Sequence, residues 1–170
     1  RRPPHRVASL DLGHMLGAAG QAREGIAVLE DGLGLIPAAD GLRIALGYLY
    51  LQAADIDAAQ AQFAVVHGAA PHRQDALVGL AKVAGAKGQH AVAAEFYRRA
   101  LTLRPDDFSA GLGLGRSLLE TGDRQGGEAA LRSAVGGVGH LTGPAISTLA
   151  AASHGRFFLR PSAARRFLGA

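Results

Sequence analysis

Residues 111–115 read GLGLG, and what those glycines do decides what kind of protein this is. A glycine-rich run cradles phosphate when it follows a strand and opens a helix in the pattern G-x-G-x-x-G. Here the sixth position is Arg116 instead of glycine, and no Gly-Lys-Ser/Thr follows to make a P-loop. The other use of glycine is to let two backbones approach closely. Stepping outward from this run by 34 residues selects that second use. Leu114-Gly115 becomes Leu80-Ala81, Leu46-Gly47 and Leu12-Gly13. Gly122 becomes Gly88, Ala54 and Gly20, and Leu131 becomes Tyr97, Phe63 and Leu29. Ala134 becomes Ala100, Val66 and Gly32, while Pro105, Pro71 and Pro37 keep the same interval, with Gly139 at the next step. Large positions stay large and small positions stay small, so the chain is an internal repeat.

Apolar spacing inside each unit is helical. In the third, Leu77, Leu80, Ala81 and Ala84 form one stripe, Gly88 interrupts it, and Ala93, Phe96, Tyr97, Ala100 and Leu101 form another. The unit therefore reads as helix, short glycine-containing turn, helix, and a proline where the second helix has ended. Four units cover 6–39, 40–73, 74–107 and 108–141, and 142–170 follow as a separate segment.

These features resemble the tetratricopeptide repeat (TPR). The resemblance rests on the 34-residue period, Leu46-Gly47 with Tyr50, Ala59-x3-Phe63, Ala93-x3-Tyr97 and the terminal prolines. It implies an all-α, right-handed superhelical solenoid of helix-turn-helix repeats ending in a C-terminal capping helix. The tryptophan usual in the first helix is replaced by Ser9, Arg43, Leu77 and Gly111, and Gly25 and Gly127 stand where alanine is usual. Those departures predict looser packing in the outer repeats.

Composition agrees with close-packed helices. Of 170 residues 48% are apolar but only 5% aromatic, with 24 glycines, no tryptophan and no cysteine. Without cysteine there are no disulfides, thiolate metal sites or thiol nucleophiles, and no apolar run is long enough for a membrane span. The opening RRPPHR, without an initiator methionine, suggests a trimmed fragment or a processed form. The net charge of +4 is uneven. Residues 1–128 hold 13 basic and 14 acidic residues, whereas beyond Glu128 there is no acid and five arginines, at 132, 156, 160, 165 and 166. The plain reading of that basic end is a solvated face. The sharper one is attraction to nucleic acid, anionic lipid or an acidic protein.

The C-terminal segment starts another helix near Thr142 and Pro144, with small residues inward, and a short one near Pro161 in which Arg165 and Arg166 oppose Ala164 and Leu168. Phe157, Phe158 and Phe167 fall in the last 14 residues. Capping the last exposed repeat interface is the job such a segment would do; the sharper alternative is a self-docking peptide or a linker helix leading to a further domain.

In TPR proteins the first helices line a concave face. Carried over, the resemblance puts Leu10, Ile44, Val78 and Leu112 on that face as an apolar rail. Beside them it puts His14, Tyr48, Lys82 and Arg116, with Gln52 and Glu120 one turn later. Such a groove suits an extended or helical peptide with apolar anchors and acidic character. The bland alternative is that the rail is inter-repeat core. The lysine, arginine and asparagine clamp of chaperone adaptors is missing, since the chain has no asparagine.

Nothing assembles into a catalytic, cofactor or metal site. His67 and His72 are five apart across Pro71, which breaks helical ligand geometry, and no Gly-x-Ser-x-Gly elbow occurs. Asp107 precedes a first helix and reads as its cap. Nucleic acid is not an expected partner, because basic residues do not recur once per repeat. The expected function is a non-catalytic protein-interaction scaffold, a monomer or a homodimer through its terminal repeats, in a bacterial cytoplasm or periplasm. The alternatives are a periplasmic segment of an exopolysaccharide machine, for cellulose for example, and the targeting arm of a larger enzyme such as a glycosyltransferase.

Overall fold

The computed structural model describes residues 4–136, 141–156 and 161–169. Among them the regular structure is helical, in ten elements: α1 (Pro4–Ala18), α2 (Ala22–Leu35), α3 (Asp40–Gln52), α4 (Ile56–Ala69), α5 (Gln74–Ala86), α6 (His90–Leu103), α7 (Phe108–Glu120), α8 (Arg124–Val135), α9 (Thr142–Ala151) and α10 (Pro161–Leu168). The starts of α3, α5 and α7 lie 34 residues apart.

Each boundary has a local cause. At the turns after α1, α3, α5 and α7, one residue enters the left-handed region: Gly20 at φ 77°, Ala54 at 61°, Gly88 at 72° and Gly122 at 86°. The next amide then reaches back to the helix, as Gln21 N to Leu16 O at 2.9 Å, Asp55 N to Tyr50 O at 2.9 Å, Gln89 N to Ala84 O at 2.9 Å and Asp123 N to Leu118 O at 3.0 Å. This is the Schellman ending, which satisfies carbonyls the helix leaves open. Prolines end α2, α4 and α6 differently. They push the preceding Ile36, Ala70 and Arg104 to φ of −137°, −140° and −136°, because the ring disfavours helical backbone one residue upstream.

The chain forms two compact units, Arg1–Val83 and Ala84–Ala170, the division falling inside α5. In the first, Leu29, Ala39, Leu42, Ala45, Leu46 and Leu49 make a core, with Leu10, Ile26 and Leu33 packed on it. Phe63 is fully buried nearby in the sequence order, its ring in the space that a Cβ on Gly47 or Gly79 would occupy. In the second, Leu119, Leu131, Val135, Ala145, Leu149 and Leu168 make a core joined by Phe108, Leu112, Ile146 and Phe167. Leu168 brings α10 into this core, and Ala164 beside it is also buried while Arg165 and Arg166 are exposed.

The glycines of residues 111–115 pack. A Cβ on Gly111 would meet Ala134 Cβ at 2.6 Å, one on Gly113 would overlap the Tyr97 ring, and one on Gly115 would lie 2.5 Å from Leu131 Cγ. The expectation of looser packing at Gly25 and Gly127 is corrected. A Cβ on Gly25 would come within 2.7 Å of Leu49 Cδ1 and 3.3 Å of the Gly13 carbonyl, and one on Gly127 within 2.7 Å of Leu119 Cγ and 3.0 Å of the Gly115 carbonyl. The paired helices approach backbone to backbone at these crossings, so the missing methyl reflects a closer contact, not a gap.

Candidate partner-binding surface

Two residues fix which way each first helix faces. Gly13, Gly47 and Gly115 turn inward, where added Cβ atoms would meet Leu29, Phe63 and Leu131. The following residue is rotated by about 100° and so turns toward solvent. His14, Lys82 and Arg116 are exposed and Tyr48 is half-buried.

In the first unit Tyr48 and Lys82 form a defined pair. Lys82 Nζ sits 5.0 Å from the centroid of the Tyr48 ring. The ring meets Phe63 edge to face, centroids 5.2 Å apart at 71°, and Tyr48 Oη donates to the Asp75 carbonyl at 3.5 Å. Held this way, the tyrosine is a fixed platform for an ammonium group, an attraction worth about 0.5–1 kcal/mol at an exposed site. Gln52 lies exposed at the end of α3.

The apolar rail does not survive as a ligand surface. Ile44 and Val78 are 9% and 5% exposed, and Leu10 and Leu112 are each packed on the core of their own unit. The packing alternative applies in full to Ile44 and Val78 and in part to the half-buried Leu10 and Leu112, because the first helix buries that side to hold its neighbours. Of the groove residues expected from the sequence, His14, Gln52 and Lys82 in the first unit and Arg116 in the second are exposed and Tyr48 is half-buried, while α1 also exposes Val7, Leu12 and Met15.

Glu120 also differs from the expectation of an open groove residue. Ser153 Oγ donates to its Oε2 at 2.6 Å and Ser153 N to its Oε1 at 3.4 Å. Those bonds, with the positive fields of His90 and Arg116, hold the carboxyl below the usual range against a smaller desolvation effect. The carboxylate therefore ties α7 to the segment that follows α9. Beside it His154 Nδ1 lies 3.1 Å from the Leu119 carbonyl.

One cluster was not anticipated. Glu128, 7% exposed, takes hydrogen bonds from Arg124 Nε and Arg156 Nε, both at 3.1 Å. The Arg156 and Arg132 guanidiniums lie 4.7 and 4.9 Å from the centroid of the Phe167 ring. Two of the five C-terminal arginines, Arg132 and Arg156, are thus contacts of α10, whereas Arg165 and Arg166 are exposed, so the reading of that end as a solvated face fits those two. Arg124-x3-Glu128 is a helical i,i+4 pair visible in sequence, whereas Arg156 reaches Glu128 across 28 positions and Phe167 meets both Arg132 and Arg156 from a different helix. Phe157, Phe158 and Arg160 lie outside the described residues. Among the described residues no group of three or more histidine, aspartate or glutamate side chains is placed to hold a metal ion, and no helix is long and apolar enough to cross a membrane.

Short helical hairpins closed by left-handed turns, three of them ended by proline, with small residues where helices cross, are the architecture of tetratricopeptide-repeat proteins. Residues 74–107 match the family model for the tetratricopeptide repeat, and the fold of the chain is that of TPR proteins. TTC0263, a thermophilic TPR protein of Thermus thermophilus, is similar over 95% of this chain and 96% of its own, with a TM-score of 0.72 at 18% identity. MamA of Desulfovibrio magneticus, from residue 41 to its end, is similar over 77% of this chain and 74% of its own, with a TM-score of 0.68 at 18% identity. YrrB, described as a TPR protein with an unusual peptide-binding site, is similar over 84% of this chain and 75% of its own, with a TM-score of 0.62 at 19% identity. No curated protein matches the chain by sequence.

Proposed function

We propose that this protein is a non-catalytic scaffold that binds a segment of a partner protein on the outward side of its first helices. The observation that carries the reading is the pair formed by Tyr48 and Lys82. An aromatic ring held by Phe63 and Asp75 beside an exposed ammonium is a preorganised pair at a surface, and tyrosine is a frequent interface anchor. The similarity in fold to a protein described as having a peptide-binding site supports the same reading. Lys82, and separately Arg116 in the second unit, favour acidic character in what they contact.

Affinity capture from a bacterial lysate tests this. The intact chain is compared with the Tyr48→Ala/Lys82→Glu variant, with circular dichroism showing both equally helical. A protein retained by the first and at least about tenfold depleted on the second, the loss expected from removing roughly 1.4 kcal/mol at an anchor, supports the surface. Equal retention by both removes it.

A further inference from the structure

The second unit contains a pocket of 240 Å³ between the end of α6 and the α7–α8 hairpin, lined by Leu101, Pro105, Asp106, Phe108, Leu114 and Ala134. One residue type distinguishes its wall from the matching places of the other repeats. Gly111 also lines it, and the residues 34 and 68 positions earlier are Leu77 and Arg43. Leu77 is 1% exposed and fills its place with a branched chain. Arg43 fills its own with a stem whose guanidinium donates to Gln62 Oε1 at 3.2 Å and to the Pro37 carbonyl at 3.0 Å. Gly111 puts no side chain there. Its contact with Ala134, where a Cβ would come within 2.6 Å, brings α8 against α7 and leaves the space beside that contact open.

The walls are mostly apolar, with Ser133 among them, while one side carries Asp106 and Asp107. Asp107 uses its Oδ1 to accept from Ala110 N at 2.9 Å as the cap of α7, and Asp106 is exposed. A pocket below about 300 Å³ is too small for a drug-sized ligand or a nucleotide cofactor and fits one ring. We propose that it is an anchor site for a single aromatic side chain of a partner, carried next to a cationic group. The ring would fill the apolar walls that Gly111 leaves open, and the cation would face the Asp106 side. This site is separate from the Tyr48 and Lys82 surface and opposite to it in charge preference, so either can fail without the other.

The test uses two small probes with the same ring and opposite charge, tryptamine and indole-3-propionate, titrated into the intact ¹⁵N-labelled chain. Tryptamine is expected to move the amides of Gly111, Ala130 and Ala134 saturably. Indole-3-propionate should bind about threefold or more weakly, the scale of one exposed charge pair. Asp106→Asn, a change at an exposed residue, should bring the two probes together, and Ala130→Leu should block both. The proposal is overturned if tryptamine leaves those amides unmoved. It is equally overturned if the two probes perturb them alike in the unaltered chain, or if Ala130→Leu folds normally and binds tryptamine as before. Tyr48→Ala is expected to bind tryptamine like the unaltered chain.

Discussion

Gly79 and Gly113 stand at equivalent places in successive repeats, and each lies under an aromatic ring, Phe63 and Tyr97 respectively. One repeat earlier the pair is Ala45 with Leu29, both in the core of the first unit. The size of the residue on one helix is thus matched to the side chain it receives from the preceding hairpin. Gly113→Ala is expected to cost about 1–3 kcal/mol, the usual range for overpacking, measured by urea unfolding. Combining it with Tyr97→Leu should recover part of that loss, since leucine over alanine is the arrangement the chain already uses. Ala54 is the converse case. It is the non-glycine residue with positive φ among the described residues, at 61°, where the other three hairpin turns have glycine. Ala54→Gly should raise stability by about 0.5–1 kcal/mol, relief of left-handed strain being partly offset by a more flexible unfolded chain. A lower midpoint than the unaltered chain would contradict that account of the turn.

At the scale of the element, the helices differ in how their N-termini are held. Asp55, Asp107 and Asp123 each accept from the amide three residues on, at 3.1, 2.9 and 2.9 Å, while α2, α3 and α6 have no side-chain cap. Asp107→Ala should cost about 1 kcal/mol, seen as a lower Tm, and should accelerate amide exchange in the first turn of α7. The short helix α10 depends on contacts made elsewhere in its unit. With eight residues it is too short to be stable alone, so it is held by Leu168 in the core and by Phe167 between Arg132 and Arg156. Phe167→Ala is expected to raise exchange across residues 162–169 while exchange in α7 changes little. The Ser153 contacts to Glu120 yield a pH signature. A carboxyl held below 4.5 contributes stability that is present above the unfolded value and lost as pH falls through the folded one. Ser153→Ala should move the Glu120 titration back up, read from its side-chain carbon shift by NMR.

For the whole molecule the clearest pH effect is alkaline. Tyr50, whose phenol donates to Glu30 at 2.5 Å, is pushed up to about 12 by that bond and by burial. Tyr97 is pushed up to about 12 by burial, only partly opposed by Arg116. The unfolded chain gives up both protons near pH 10 and the folded chain keeps them to about 12. The unfolded state therefore binds fewer protons over this interval, and stability must fall as pH rises across it. Tyr50 belongs to the first unit and Tyr97 to the second, so both units weaken over the same interval. Absorbance at the tyrosinate band should show two late phenols in the folded protein, and Tyr97→Phe should remove one.

How far the sequence reached depends on the range of the interaction involved. Helix ends, hairpin turns, prolines and the inward small residues were legible because each is set by backbone sterics within a few positions and then repeated every 34. That His14, Tyr48, Lys82 and Arg116 each follow the small inward position came from the repeat register, while the face they were assigned came from the resemblance to the tetratricopeptide repeat. The apolar rail was misjudged because periodicity says which residues share a face, not whether a neighbouring helix covers it. Gly25 and Gly127 were misread since a missing methyl means either a gap or a closer helix, and only the distance between backbones separates the two. Glu128, Arg156 and Phe167 were invisible as a group. Their contacts join elements that no local pattern relates, Arg156 reaching Glu128 across 28 positions, so only the folding of α10 onto its unit brings them together.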